Sequence, residues 1–235
     1  MIFNFKEFSV KQDKTAMKIG TDGVLLGAWT SINQSPYSIL DIGTGTGLIA
    51  LQLAQRSSAG LIDAVEIDNN AFEQTVENFE LSNWSDRLYC YHASLSEFVD
   101  EIEDKYDLIV SNPPFYTDNY KSDNDSRNKA RFTDSLSFEE LTKSASSLLS
   151  ENGIFSVIIP FKEENKFIEL AKNHNLFLNR ICRVKGNIES NIKRSLMEFT
   201  FTKKEITLTS LIIEIDRHQY TEEYKSLVKD FYLKM

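Results

Sequence analysis

The chain is poor in the residues that build stapled, metal-bound or membrane-spanning proteins. Only two cysteines occur among 235 residues, Cys90 in LYCYHA and Cys182 in RICRV, both inside apolar runs. Such a pair fits reduced, buried thiols and excludes a disulfide framework. The three histidines, His92, His174 and His218, stand at no ligand spacing to the cysteines, so no metal site is expected. No uncharged apolar run approaches the roughly 18 residues of a membrane span. The opening MIFNFKEFSVKQDKTAMKIG has no signal-peptide core, and a cytoplasmic protein without membrane contact is expected. A net charge of −9 leaves no broad basic footprint for nucleic acid. Locally the balance reverses: Leu176–Lys204 carries seven basic residues against two acidic ones. Lys193 and Arg194 in that stretch are candidates to face a polyanion. A pair of solvated strands explains the same charges.

With four prolines and nine glycines in all, placement is informative. Three glycines fall in Asp41-Ile-Gly43-Thr-Gly45-Thr-Gly47, and two prolines are adjacent in Asn112-Pro113-Pro114-Phe115. Around these points strands and helices alternate. Short apolar strands are expected at Ser38–Ile42, Leu61–Ile67, Leu88–His92, Tyr106–Val110 and Ile154–Ile159. Helices are expected at Gly47–Gln55, Asn70–Leu81 (capped by Asn69), Ser137–Leu149 and Glu163–Asn173. Two further strands, near Phe177–Val184 and Leu196–Phe201, follow the last of these, with Val184–Arg194 as the loop between them. This alternation predicts an α/β fold, a mostly parallel sheet covered on both faces with an antiparallel addition at one edge. One domain is expected, its core sheet within residues 35–204. Residues 1–34 form a covering segment, and 205–235 an appendage with a strand at Leu211–Ile215 and a helix at Thr221–Tyr232.

The glycine loop joins a strand to a helix, where a doubly wound sheet places its ligand. A dinucleotide fingerprint needs glycine at position 48, but Leu48 stands there. Instead the spacing is G-x-G-x-G, with a carboxylate two positions earlier. Asp41 at that point repels a pyrophosphate and suits a cation. Glu66, ending the next strand in IDAVEID, is placed to accept both hydroxyls of a ribose. Together they favour S-adenosylmethionine, an adenosyl cofactor that carries an ammonium beside its sulfonium.

DIGTGTG, Glu66 and NPPF, in this order and spacing, resemble the class I S-adenosylmethionine-dependent methyltransferases that modify amino nitrogens. The resemblance implies a Rossmann-like, seven-stranded sheet with one antiparallel strand. It also implies an adenine contact after the third strand, where the common acid is replaced by Ser94. Asn112 and the Pro113 carbonyl then become two acceptors for one NH2 group. Pro114 stiffens the segment, and Phe115 offers a face for a planar substrate.

The same tetrapeptide pattern serves adenine N6, guanine N2 and the amide of glutamine. The stretch FNFKEFSVKQDKTAMKIGTDGVLLGAW is more selective. With AQRS, IDAVEID, DLIVSNPPF, KARFT and the terminal FYLKM, it is similar to the family of bacterial tRNA1(Val) adenine-N6 methyltransferases, over nearly the whole chain. That likeness implies a tRNA substrate, methylated at the adenine just 3′ of the anticodon. It also puts Thr21 and Asp22 near the cofactor's methionine end, Asp22 as a partner for the ammonium. Arg127, Lys129 and Arg131 follow the proline pair in a polar stretch and are candidates to grip RNA phosphates. Methylation of ribosomal guanine N2 or of a protein glutamine remains an alternative on these residues.

Overall fold

The computed structural model describes residues 1–114 and 136–235. The chain opens with a small antiparallel hairpin, β1 (Ile2–Asn4) and β2 (Ser9–Lys11), and then α1 (Thr21–Trp29). Strand–helix alternation follows: β3 (Ser38–Ile42), α2 (Leu48–Arg56), β4 (Leu61–Glu66), α3 (Asn69–Glu80), β5 (Leu88–His92), α4 (Leu95–Glu101) and β6 (Tyr106–Ser111). Beyond residue 135 come α5 (Phe138–Leu148), β7 (Leu149–Pro160), α6 (Glu164–Asn173), β8 (Phe177–Asn187), β9 (Ile192–Thr200), β10 (Thr207–Asp216), β11 (Gln219–Tyr220) and α7 (Glu222–Val228).

Among the described residues the main sheet has nine strands, in the order β11-β10-β8-β9-β7-β6-β3-β4-β5. Seven of them form the mixed, mostly parallel sheet expected from the sequence. Two details differ. The antiparallel strand β9 lies inside the sheet, between β7 and β8, rather than at its edge. The reason is that β8 and β9 form a long hairpin whose second strand, not its first, pairs with β7. The segment expected as an appendage also lengthens the sheet, because β10 pairs in parallel with β8 and carries β11 outside it. The stretch Val184–Arg194, expected as a loop, is largely this hairpin's two ends. Asp68 rather than Asn69 caps α3, its side chain accepting from Ala71 N.

Each strand sends alternate side chains to opposite faces, so the sheet builds two cores. On one face Ile39, Ile62 and Ile158 pack with α1, α2 and α7. On the other, Leu40, Phe155, Val157 and Ile159 pack with α4, α5 and α6. The helix α1 is buried from Gly23 through Trp29, so it is an inner layer rather than an amphipathic cover. No helix among the described residues is long and apolar enough to cross a membrane. Because β3, β4, β6 and β7 run parallel, their carboxyl ends share one rim, and the site lies there.

Candidate active site

A cleft of about 540 Å³ opens at this rim. Its wall includes Gly43, Gly45, Glu66, Ser94, Asn112 and Pro114, which the sequence scatters over some 70 positions. Gly43 and Gly45 hold φ of +70° and +64°, backbone that side-chain-bearing residues rarely adopt. A Cβ added to either meets no atom within 4 Å, so both expose bare backbone to the opening. Gly47 differs. It also has positive φ, but its added Cβ lies 2.7 Å from the Phe79 ring, and it caps α2 away from the cleft wall.

Glu66 is buried and oriented by backbone on both sides. Its Oε2 accepts from Gly45 N at 2.8 Å and its Oε1 accepts from Asp68 N at 2.9 Å. Each oxygen keeps lone-pair capacity for a further donor. Asp41 lies beneath the loop, fully buried and outside the cleft wall. Its Oδ2 accepts from Thr44 Oγ1 at 2.6 Å and Ala50 N at 3.2 Å, which locks the loop onto the start of α2. Burial pushes this carboxyl up to about 7, with Glu66 adding to the rise, against the two hydrogen bonds that favour the anion.

Ser94 caps α4 in a reciprocal box with Glu97. It accepts from Glu97 N at 3.3 Å, and its hydroxyl donates to Glu97 Oε2 at 2.6 Å. The same oxygen lies 3.2 Å from Ser96 Oγ, and both serines are part of the cleft wall. At the end of β6, Ser111 Oγ donates to Ile42 O at 2.9 Å, tying Asn112 beside the glycine loop. Asn112 Oδ1 is buried and meets no hydrogen-bond donor among the described residues. Such an orphan acceptor carries a desolvation cost of about 1–3 kcal/mol until a donor arrives. Pro113 is buried between Asn112 and Pro114.

The remaining expected residues are not brought into the cleft wall. Thr21 is exposed at the start of α1, and Asp22 beside it is bound by Arg194, whose Nε donates to Asp22 Oδ2 at 2.7 Å. Lys193 is exposed at the amino end of β9. Phe115, Arg127, Lys129 and Arg131 lie outside the described residues. Conversely, the wall includes Thr15, Ala16, Met17, Ile67 and Asp68, which sequence reasoning missed. Ile67 was detectable in principle, as an apolar residue directly after the strand-end acid; the structure leaves it 53% exposed.

These parts fit a nucleoside-bearing ligand. The cleft has the size of a small-molecule site, with a buried carboxylate that keeps accepting capacity, bare glycine backbone and apolar Ile67 and Leu95 together on its wall. Fold and cleft together define a class I methyltransferase. The methyltransferase small domain model matches residues 23–171. A predicted O-methyltransferase from Agrobacterium tumefaciens shares the fold, with a TM-score of 0.70 at 17% identity over 89% of this chain and 96% of that one. Much nearer in sequence is a tRNA1(Val) (adenine(37)-N6)-methyltransferase of Christiangramia forsetii, 63% identical over 99% of this chain and 98% of the relative. The enzyme of that name from Flavobacterium psychrophilum is also 63% identical, over the whole of both chains. The chain belongs to the tRNA1(Val) (adenine(37)-N6)-methyltransferase family.

Proposed function

We propose that this enzyme transfers a methyl group from S-adenosylmethionine to the exocyclic N6 of adenine 37, next to the anticodon of a valine tRNA. The observation that carries the reading is Asn112, a residue of the same cleft wall as Glu66 and the glycine loop, whose Oδ1 is a buried acceptor without a donor among the described residues. The relatives' full-length identity supports the choice of adenine and of tRNA. The reaction takes place in the cytoplasm with its tRNA, and residues 1–235 act as one methyltransferase unit.

When bound, S-adenosylmethionine supplies a methyl carbon made electrophilic by its sulfonium. Glu66 accepts the ribose hydroxyls, Gly43 and Gly45 let the ligand lie against backbone, and Ser94 accepts from the adenine amine. The substrate's own amine is a poor nucleophile, because its lone pair is delocalised into the ring. Asn112 Oδ1 and the Pro113 carbonyl accept its two N–H bonds, which draws the nitrogen toward a pyramidal form and frees that lone pair. Pro114 stiffens the segment and Phe115 stacks on the extruded base. The methylated ammonium is acidic enough to release its proton to water, so no dedicated base is required. Positioning supplies up to about 7–11 kcal/mol in favourable cases. Lys193, with Arg127, Lys129 and Arg131, serves the RNA backbone.

The test is a nucleoside digest. The purified protein is incubated with methyl-labelled cofactor and bulk tRNA, which is then hydrolysed. Label is expected in N6-methyladenosine; label confined to N2-methylguanosine, or to protein fractions, sinks the proposal.

A further inference from the structure

The helix α3 buries three polar side chains on the face turned to the protein. Gln74 and Thr75 are fully buried, and Asn78 is 1% exposed. Burying such groups costs free energy unless each finds hydrogen bonds, and a helix that merely covered a sheet would place aliphatic residues there. Gln74 Nε2 donates to Glu77 Oε2 at 3.0 Å, and the other bonds of the three go to the backbone of two different segments. One is the glycine loop: Thr75 Oγ1 donates to Gly45 O at 2.9 Å, and Asn78 Nδ2 donates to Thr46 O at 2.8 Å. The other is the chain before α1. Asn78 Oδ1 accepts from Lys11 N at 2.8 Å, Asn78 Nδ2 donates to Lys11 O at 2.9 Å, and Gln74 Oε1 accepts from Lys14 N at 3.1 Å.

That second segment closes on itself. Ile19 N donates to Gln12 Oε1 at 2.8 Å, and Lys18 Nζ donates to Thr15 O at 2.8 Å and to Gln12 O. At the turn of this strap stand Thr15, Ala16 and Met17, which form part of the cleft wall together with Gly43 and Gly45. Strap and glycine loop are far apart in sequence and share no strand pairing. Both are held by α3.

We propose that Gln74, Thr75 and Asn78 are positioning residues that set the separation of strap and glycine loop, and with it the width of the cofactor cleft. The inference rests on the reading that this cleft holds the nucleoside cofactor. Thr75 has a second consequence. The Gly45 N–H is held by Glu66 and its C=O by Thr75, so the two peptides that flank Gly45 are anchored separately and the residue that meets the Glu66 carboxylate is fixed from both sides.

Calorimetric titration with S-adenosylhomocysteine tests this in the full chain. Thr75→Val keeps the shape and removes the hydroxyl, Thr75→Ser restores it, and Asn78→Ala releases the strap. Thr75→Val and Asn78→Ala are each expected to weaken binding about tenfold, the scale of a lost buried hydrogen bond. Thr75→Ser is expected within about threefold of the parent. In turnover assays the KM for S-adenosylmethionine rises in parallel, and the KM for tRNA stays unchanged. Should Asn78→Ala not fold, the near-isosteric Thr75 pair carries the comparison. Lowered Tm with unchanged cofactor affinity in Thr75→Val overturns the positioning role and leaves the cofactor reading standing. Absence of binding by the parent protein overturns both.

Discussion

Arg194 at the start of β9 reaches across to Asp22 in the first turn of α1, with Nε and Oδ2 2.7 Å apart. The contact joins β9, antiparallel to both of its neighbours, to the helix that packs against α2, across 172 positions of sequence. Both side chains remain about a third exposed, at 33% and 28%. Water therefore screens the pair, and a double-mutant cycle is expected to give a coupling of about 0.2–1 kcal/mol. Asp22→Arg combined with Arg194→Asp is expected to recover most of the Tm lost by either reversal alone, measured by thermal melts at low salt.

Asn112 separates binding from chemistry. Its backbone follows Ser111, which is tied to Ile42, and its Oδ1 accepts from neither of the backbone N–H groups that orient Glu66. Asn112→Ala is expected to bind S-adenosylhomocysteine within about threefold of the parent. Its kcat on tRNA is expected to fall by roughly 10²–10³, by analogy with the loss of one preorganised transition-state dipole. Equal losses in cofactor affinity and turnover would place Asn112 in cofactor binding instead.

Glu66 is expected to behave in the opposite way. In Glu66→Gln one oxygen becomes an NH2 group facing a backbone N–H, either of Gly45 or of Asp68. Cofactor affinity should drop at least about tenfold, because a donor is set against a donor and an acceptor for the ribose is lost. Filter binding of tRNA without cofactor should not change.

How much of this was legible in sequence depended on whether the signal was local. SILDI and LYCYH are short apolar runs with clear ends, and both are strands over the expected residues. Glu66 ends β4 and Asn112 directly follows β6, both in recognisable patterns, and the cleft wall contains both. In α3 the apolar residues at helical spacing split, with Ala71 and Phe79 buried but Phe72 and Val76 only half-buried. Polar Gln74, Thr75 and Asn78 share the inner face with Ala71 and Phe79, because backbone from elsewhere gives each of the three a hydrogen bond. No local pattern reports such partners. The strap at Thr15–Met17, the Asp22–Arg194 pair and the parallel pairing of β10 with β8 were illegible for the same reason. The three-residue strands β1 and β2 are too short to show a period.

Lys193 is the neighbour of Arg194 but stands exposed. A charge reversal there should act on RNA alone. Lys193→Glu is expected to raise the KM for tRNA several-fold, with kcat and cofactor affinity unchanged. The slope of log affinity against log salt should shrink by about one unit, as for the loss of a phosphate contact. An unchanged salt slope would take β9 out of the RNA footprint.

Asp41 makes the stability of the ligand-free protein depend on pH in a definite direction. Its carboxyl is raised from 3.8 to about 7 in the folded chain, first by burial and then by Glu66. The protonated form is thus favoured on folding. The associated stability is present in full below pH 3.8, is lost as pH rises toward about 7, and changes no further above it. Asp41→Asn cannot ionise, while its amide oxygen can still accept from Thr44 and Ala50. Its stability relative to the parent should therefore climb between pH 4 and 7 and level off beyond about 7. Urea midpoints taken across pH 5 to 9 measure this. A difference between variant and parent that is flat with pH would mean that Asp41 ionises as readily in the folded chain as in the unfolded one. The loop's carboxylate would then be stabilised by more than the Thr44 hydroxyl and the Ala50 N–H.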